Sequence, residues 1–129
     1  MSGFRTPLSR ARGMGAAGHG AGHWITERIT ALALVPLVLW LVWAGLRIAG
    51  ADYETAVVFV HQPVNAVLLV LLLAVGFRHM HDGLRVVVED YLDKTFTRVG
   101  ALVLNLFICV LGGALAIFSV LKVALSGAW

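Results

Sequence analysis

Residues 76–91, GFRHMHDGLRVVVEDY, follow directly on an apolar run at 64–75 and carry Arg78, His79, His81, Asp82, Arg85, Glu89 and Asp90. An imidazole can ligate a metal, a carboxylate can pass a proton, and a phenol such as Tyr91 can donate to a carbonyl. Ionisable groups at membrane depth are costly to hold there, so each one in this stretch is a functional candidate by default.

Read as a helix at about 100° per residue, the stretch sorts its polar groups into two stripes. Gly83 lies about 40° from His79 and Asp90 about 20° from it three turns on, so a histidine, a glycine and a carboxylate share one face. Asp90 stands about 16 Å along the axis from His79. Arg78, Asp82, Arg85 and Glu89 form the second stripe, centred about 90° from the first; its charges alternate in sign and cancel. His81 sits about 200° from His79, so the two histidines cannot serve one metal centre from this helix.

Composition defines the solvent in which these stripes must work. The chain has 129 residues, 60% of them hydrophobic and 13% charged, with a mean hydropathy of +0.89, a departure from the soluble norm toward a bilayer protein. Crossing a bilayer takes roughly 20 apolar residues, and three runs meet that length, at about 29–48, 63–88 and 99–121. The expected fold is therefore all-α, an integral membrane protein with three transmembrane helices that form part of a heteromeric helix bundle. Residues 23–129 make up its membrane-anchor domain. Cys109, the single cysteine, lies in the third span, so no intrachain disulfide is possible.

Residues 1–22 are rich in Gly, Ala and Ser, contain Arg5, Arg10 and Arg12 and no acid, and lack the apolar surface to pack; a mobile basic segment is expected. The run at 29–48 is too long for the core of a signal peptide and behaves as an uncleaved anchor. An Arg-rich, acid-free start also fits a mitochondrial transit peptide, but its glycines disfavour the amphipathic helix such a peptide needs. A bacterial inner membrane is the preferred location and a mitochondrial inner membrane the alternative. No nucleic-acid partner is expected.

The first span opens with HWITERIT, residues 23–30, in which Trp24 suits the headgroup region and Arg28 can stay at that level or face a partner. Pro36 interrupts this span and should free the Leu32 carbonyl and produce a modest kink. Trp40 and Trp43 mark the far interface, and Asp52, Tyr53 and Glu54 form a short acidic connector. In the third span Ala101, Asn105, Cys109, Gly112, Ala116 and Ser119 line one face, a packing surface in which Cys109 is simply a small buried residue. Arg5, Arg10, Arg12, Arg28, Lys94 and Arg98 lie on one side of the membrane against Arg47 and Lys122 on the other, which puts the N-terminus in the cytoplasm and the C-terminus in the periplasm.

His79-x-x-x-Gly83 followed by Asp90-Tyr91, within three spans of this topology, resembles the small membrane-anchor subunit of succinate dehydrogenase, the succinate:quinone oxidoreductase of respiratory membranes. The opening HWITERITALALVPL resembles that family more loosely. GFRHMHD is also similar to a Gly-x-Arg-His segment of the larger anchor, but the position of that subunit's haem histidine is Leu72 here, and the larger anchor lacks an Asp-Tyr ending of this kind.

The resemblance implies a four-subunit complex in which a flavoprotein oxidises succinate, an iron–sulfur subunit relays electrons, and two anchors in the membrane lipid bind haem b and a quinone. It assigns His79 as this chain's axial ligand to the haem iron, with the second histidine supplied by the larger cytochrome b anchor. Tyr91 would hydrogen-bond a quinone carbonyl with Asp90 beside it, and Arg28 could face a haem propionate or the quinone pocket. Gly83, one turn from His79, removes a side chain that would collide with a flat macrocycle. Two other classes stand beside this reading: a non-redox transporter or proton-path subunit using Arg78, His79, Asp82 and Glu89, and an anchor with no site of its own. The internal compensation of the charged stripe and the near-neutrality of the His79 stripe favour the redox reading. Nothing in the chain could oxidise succinate, so it is not a complete enzyme alone.

Overall fold

In hydrocarbon every backbone amide must find its partner within the protein, and the described residues of this chain meet that demand with helices. A computed structural model describes residues 6–11 and 20–126. It contains α1 (Pro7–Ala11), α2 (Gly20–Ile48), α3 (Tyr53–His61), α4 (Pro63–Tyr91) and α5 (Thr95–Leu125). Three of these, α2, α4 and α5, are long and apolar enough to cross a membrane. Of the segment 1–22, residues 7–11 are helical and residues 20–22 begin α2; residues 1–5 and 12–19 lie outside the described residues.

Each long helix extends beyond the apolar run that announced it, to 20–48 rather than 29–48, 63–91 rather than 63–88, and 95–125 rather than 99–121. Hydropathy marks only the portion in hydrocarbon, whereas helical hydrogen bonding runs on into polar flanks. Helix α2 continues as one element through Pro36.

The acidic connector folds into a helix of its own. Gly50, at φ 84°, takes the left-handed conformation that ends α2. Asp52 then caps α3, its carboxylate accepting from the Thr55 amide at 3.1 Å. The Thr55 hydroxyl and amide hold the Asp52 carboxyl below its usual range. Helix α3 stops because Pro63 pushes Gln62 to an extended conformation, φ −65° and ψ 123°. Proline itself is well placed as the first residue of α4. The buried Asn65 bridges this break by donating to the Phe59 carbonyl at 2.9 Å and to Gln62 Oε1 at 3.3 Å. His61 Nδ1 donates to the Ala124 carbonyl at 3.1 Å, and Trp40 stacks on Phe59 with ring centroids 6.3 Å apart. The short helix thereby ties the end of α2 to the end of α5.

Helix α4 is the centre of the bundle, packed against α2 on one side and α5 on the other. In the contact with α5 the Phe77 ring lies over Gly112 and Gly113: a Cβ on Gly112 would stand 3.0 Å from the ring and one on Gly113 3.2 Å. The packing face expected on α5 is observed, with Asn105 and Cys109 buried, but Gly113 is buried more deeply than Gly112 and Ser119 is exposed. Among the described residues the buried side chains are Ala44, Asn65, Asp82, Asn105 and Cys109, while leucines, valines and phenylalanines cover the outside. Polar groups inside and apolar groups outside is the distribution lipid favours.

Candidate functional site

The polar interior is concentrated at one level. Thr30 lies ten residues into α2 and Asn105 ten into α5, while His79 and His81 precede the end of α4 by twelve and ten. At about 1.5 Å per residue all four sit about 15–18 Å from the same end of the bundle. Antiparallel neighbours bring them together there.

On the α2 side, His79 is half-buried and its Nδ1 lies 3.1 Å from Thr30 Oγ1. The same hydroxyl is 3.0 Å from the carbonyls of Thr26 and Glu27. A carbonyl can only accept, so all three contacts are satisfied together when the hydroxyl proton points at those oxygens and Oγ1 accepts from His79. Nδ1 of His79 therefore carries the proton, and Nε2 holds a free lone pair.

On the α5 side the arrangement is reversed. Asn105 Nδ2 donates to the His81 carbonyl at 3.0 Å, which fixes the orientation of the amide, and it also lies 3.2 Å from His81 Nδ1. An amide nitrogen only donates, so Nδ1 of His81 is the acceptor and the proton sits on Nε2. Cys109 closes the chain, its thiol donating to Asn105 Oδ1 at 3.3 Å. Beside it a groove of about 370 Å³ between α4 and α5 is lined by Phe77, Arg78, His81, Cys109 and Gly113. A second groove, of about 290 Å³ and almost wholly apolar, runs between α2 and α4 past Leu72, Gly76 and Met80.

The charged stripe resolves into two pairs on one helix. Arg78 Nε reaches Asp82 Oδ2 at 3.0 Å, with Asp82 2% exposed, and Arg85 Nε reaches Glu89 Oε1 at 2.8 Å. The single buried carboxylate among the described residues thus has its countercharge within its own helix.

The remaining expected site residues are dispersed. Gly83 is half-buried, and a Cβ built there would meet nothing within 4 Å, so this chain's own packing does not require a glycine. Arg28 is exposed, its guanidinium 5.3 Å from the Trp24 ring centroid, and by helical arithmetic it points about 200° around α2 from Thr30. Asp90 and Tyr91 are exposed at the end of α4, Tyr91 by 81%, about 18 Å along the axis from His79. Arg98 donates to the Leu92 carbonyl at 2.8 Å and pins the turn that follows them.

Two participants were not singled out by sequence reasoning. Thr30 was only part of the opening segment, and Asn105 only a member of a packing stripe; helix pairing alone makes them partners of His79 and His81. Among the described residues no three His, Cys, Asp or Glu side chains gather to hold a bare metal ion. A porphyrin supplies four nitrogens itself and asks a chain for one axial imidazole. His79, with its free Nε2 and the open space above Gly83, fits that requirement.

Residues 2–121 match the family model described as succinate dehydrogenase/fumarate reductase transmembrane subunit. The chain is 32% identical over 90 residues to a succinate dehydrogenase hydrophobic membrane anchor subunit of Rickettsia bellii, covering 70% of this chain and 72% of that one. It is 28% identical over 102 residues to the subunit so named in Paracoccus denitrificans, covering 79% and 78%. A succinate dehydrogenase membrane anchor subunit of Reclinomonas americana is 25% identical over 83 residues, 62% of this chain and 69% of that one. No solved structure matches the chain significantly.

Proposed function

The chain belongs to the family of succinate dehydrogenase/fumarate reductase transmembrane subunits, as a membrane anchor, and from that premise we propose that it binds haem b through His79 and forms part of the quinone-reduction site with Tyr91 and Asp90. The observation that carries this reading is the hydrogen bond from His79 Nδ1 to Thr30, which leaves Nε2 available as a ligand. A metal-bound histidine usually donates its other ring N–H in this way. When bound, haem b supplies a one-electron carrier within the membrane.

The residues of this chain act around that group and around the substrate. His79 would hold the iron through its Nε2, together with a histidine of the larger cytochrome b anchor. Gly83 admits a flat macrocycle. Arg28, free of any hydrogen bond or ion pair among the described residues, offers its guanidinium to a propionate or to the quinone pocket. Reducing a quinone takes two electrons and two protons; Tyr91 donates to a quinone carbonyl at the interface, and Asp90 beside it holds a proton or orients a basic partner. Flavoprotein and iron–sulfur subunits deliver the electrons from the cytoplasmic side of a bacterial inner membrane, where the N-terminus and Tyr91 lie.

The test is a dithionite-reduced minus oxidised spectrum of the detergent-purified complex. Wild type should show a low-spin b-type haem, and His79→Ala should lose it or turn it high-spin. A low-spin spectrum unchanged in His79→Ala would remove the assignment.

A further inference from the structure

We propose that Thr30 is the positioning residue of the haem ligand: its hydroxyl holds the Nδ1–H of His79, so that Nε2 faces the iron. The proposal rests on the reading of His79 as an axial ligand. An imidazole on a helix can present either nitrogen and rotates about its side-chain bonds, so ligation requires that both tautomer and ring plane be set by something else. Thr30 does both. Its own hydroxyl is anchored by the carbonyls of Thr26 and Glu27, each 3.0 Å away on the same helix, and from that fixed point it meets Nδ1 at 3.1 Å. The acceptor is a neutral oxygen and not a carboxylate, so the imidazole is polarised without a new charge entering the membrane.

Asn105 makes the same argument in reverse. By donating to Nδ1 of His81 it puts the proton on Nε2 of that ring, which leaves His81 without a free lone pair on its outer nitrogen. Two histidines two residues apart are thus separated into one that can ligate and one that cannot, by a threonine on α2 and an asparagine on α5. This selection belongs to the helix pairing.

The experiment compares Thr30→Val, Thr30→Ser and His79→Ala with wild type in the purified four-subunit complex, reading haem content, the low-spin electron paramagnetic resonance signal and the haem midpoint potential. Valine keeps the shape of threonine and removes the acceptor; Thr30→Ala takes its place should the valine variant not assemble. Without the acceptor the imidazole is a weaker donor to ferric iron. The potential should therefore move upward, the low-spin signal broaden as the ring loses its fixed plane, and haem be lost from the detergent complex about tenfold faster or more. Thr30→Ser should restore all three, which a purely packing role for the methyl group would not produce. Wild-type potential, signal and retention in Thr30→Val, alongside loss of low-spin haem in His79→Ala, would overturn the role of Thr30 and leave the ligand assignment intact. Retention of low-spin haem in His79→Ala would overturn both.

Discussion

His79 and His81 turn their Nδ1 atoms to different helices, the first to Thr30 on α2 at 3.1 Å and the second to Asn105 on α5 at 3.2 Å. Because a hydroxyl anchored on carbonyls accepts and an amide nitrogen donates, the two rings are held in opposite tautomers. One central helix therefore carries two imidazoles of different chemistry at nearly the same depth.

His81→Ala should leave a low-spin haem in place while loosening the α4–α5 contact, since it removes one acceptor of Asn105 but no ligand. Net loss of a neutral hydrogen bond costs about 1 kcal/mol. Visible spectra and thermal unfolding of the complex separate the two effects, and a high-spin haem in this variant would transfer the ligand role to His81.

Asp82 is buried and its countercharge is Arg78, four residues before it on the same helix. Arg78 is half exposed, so the pair is only partly buried; leaving either charge uncompensated at membrane depth is costly, whereas replacing both partners by apolar residues can be neutral. Asp82→Leu should accordingly reduce the yield of assembled complex more than Arg78→Met combined with Asp82→Leu. Equal yields would show that the two residues are not compensating one another.

Tyr91→Phe keeps the ring and deletes only the hydroxyl, so assembly and haem should survive. A buried carbonyl left without its donor costs about 1–3 kcal/mol, and about 1.4 kcal/mol is already tenfold in rate. Quinone reductase activity should drop about tenfold or more by that relation, while succinate oxidation by a soluble artificial acceptor stays near wild type. Full quinone reductase activity would reduce Tyr91 to an interfacial anchor.

Gly113 faces the rigid end of Phe77, with Cγ 3.2 Å and Cβ 3.3 Å from a Cβ built on the glycine. Gly113→Val must separate α4 from α5 or displace the ring, an overpacking cost of about 1–3 kcal/mol. Phe77→Leu in the same chain should recover part of the loss in thermal unfolding of the complex, and no recovery would mean the strain lies elsewhere.

The Asp52 cap gives α3 a pH dependence of definite sign. Its carboxyl is held below the usual range in the folded chain, so the cap is intact above the unfolded pKa and is lost as pH falls through the folded one. After correction for intrinsic exchange, amides of 53–61 should exchange faster on acidification relative to those of α4. Asp52→Asn should abolish that dependence while keeping the cap, and Asp52→Ala should lose the cap at every pH.

The sequence by itself determined the all-α spanning architecture, the stripe of His79, Gly83 and Asp90, and the separation of His79 from His81, because hydropathy and a turn of about 100° per residue are local properties. It also determined the family, through motif spacing along one helix and a looser likeness at the opening. Helix α3 was hidden because its nine residues read as a connector, although Asp52 and Pro63 are the very signals that bound it. Only the tertiary structure decided which residues meet. Thr30 is 49 positions from His79 and Asn105 is 24 from His81, and in lipid no hydrophobic pattern dictates which faces pair; small residues such as Gly112 and Gly113 and a few polar contacts do. The hydrogen-bond partners of the two histidines, and with them their tautomers, follow from that pairing.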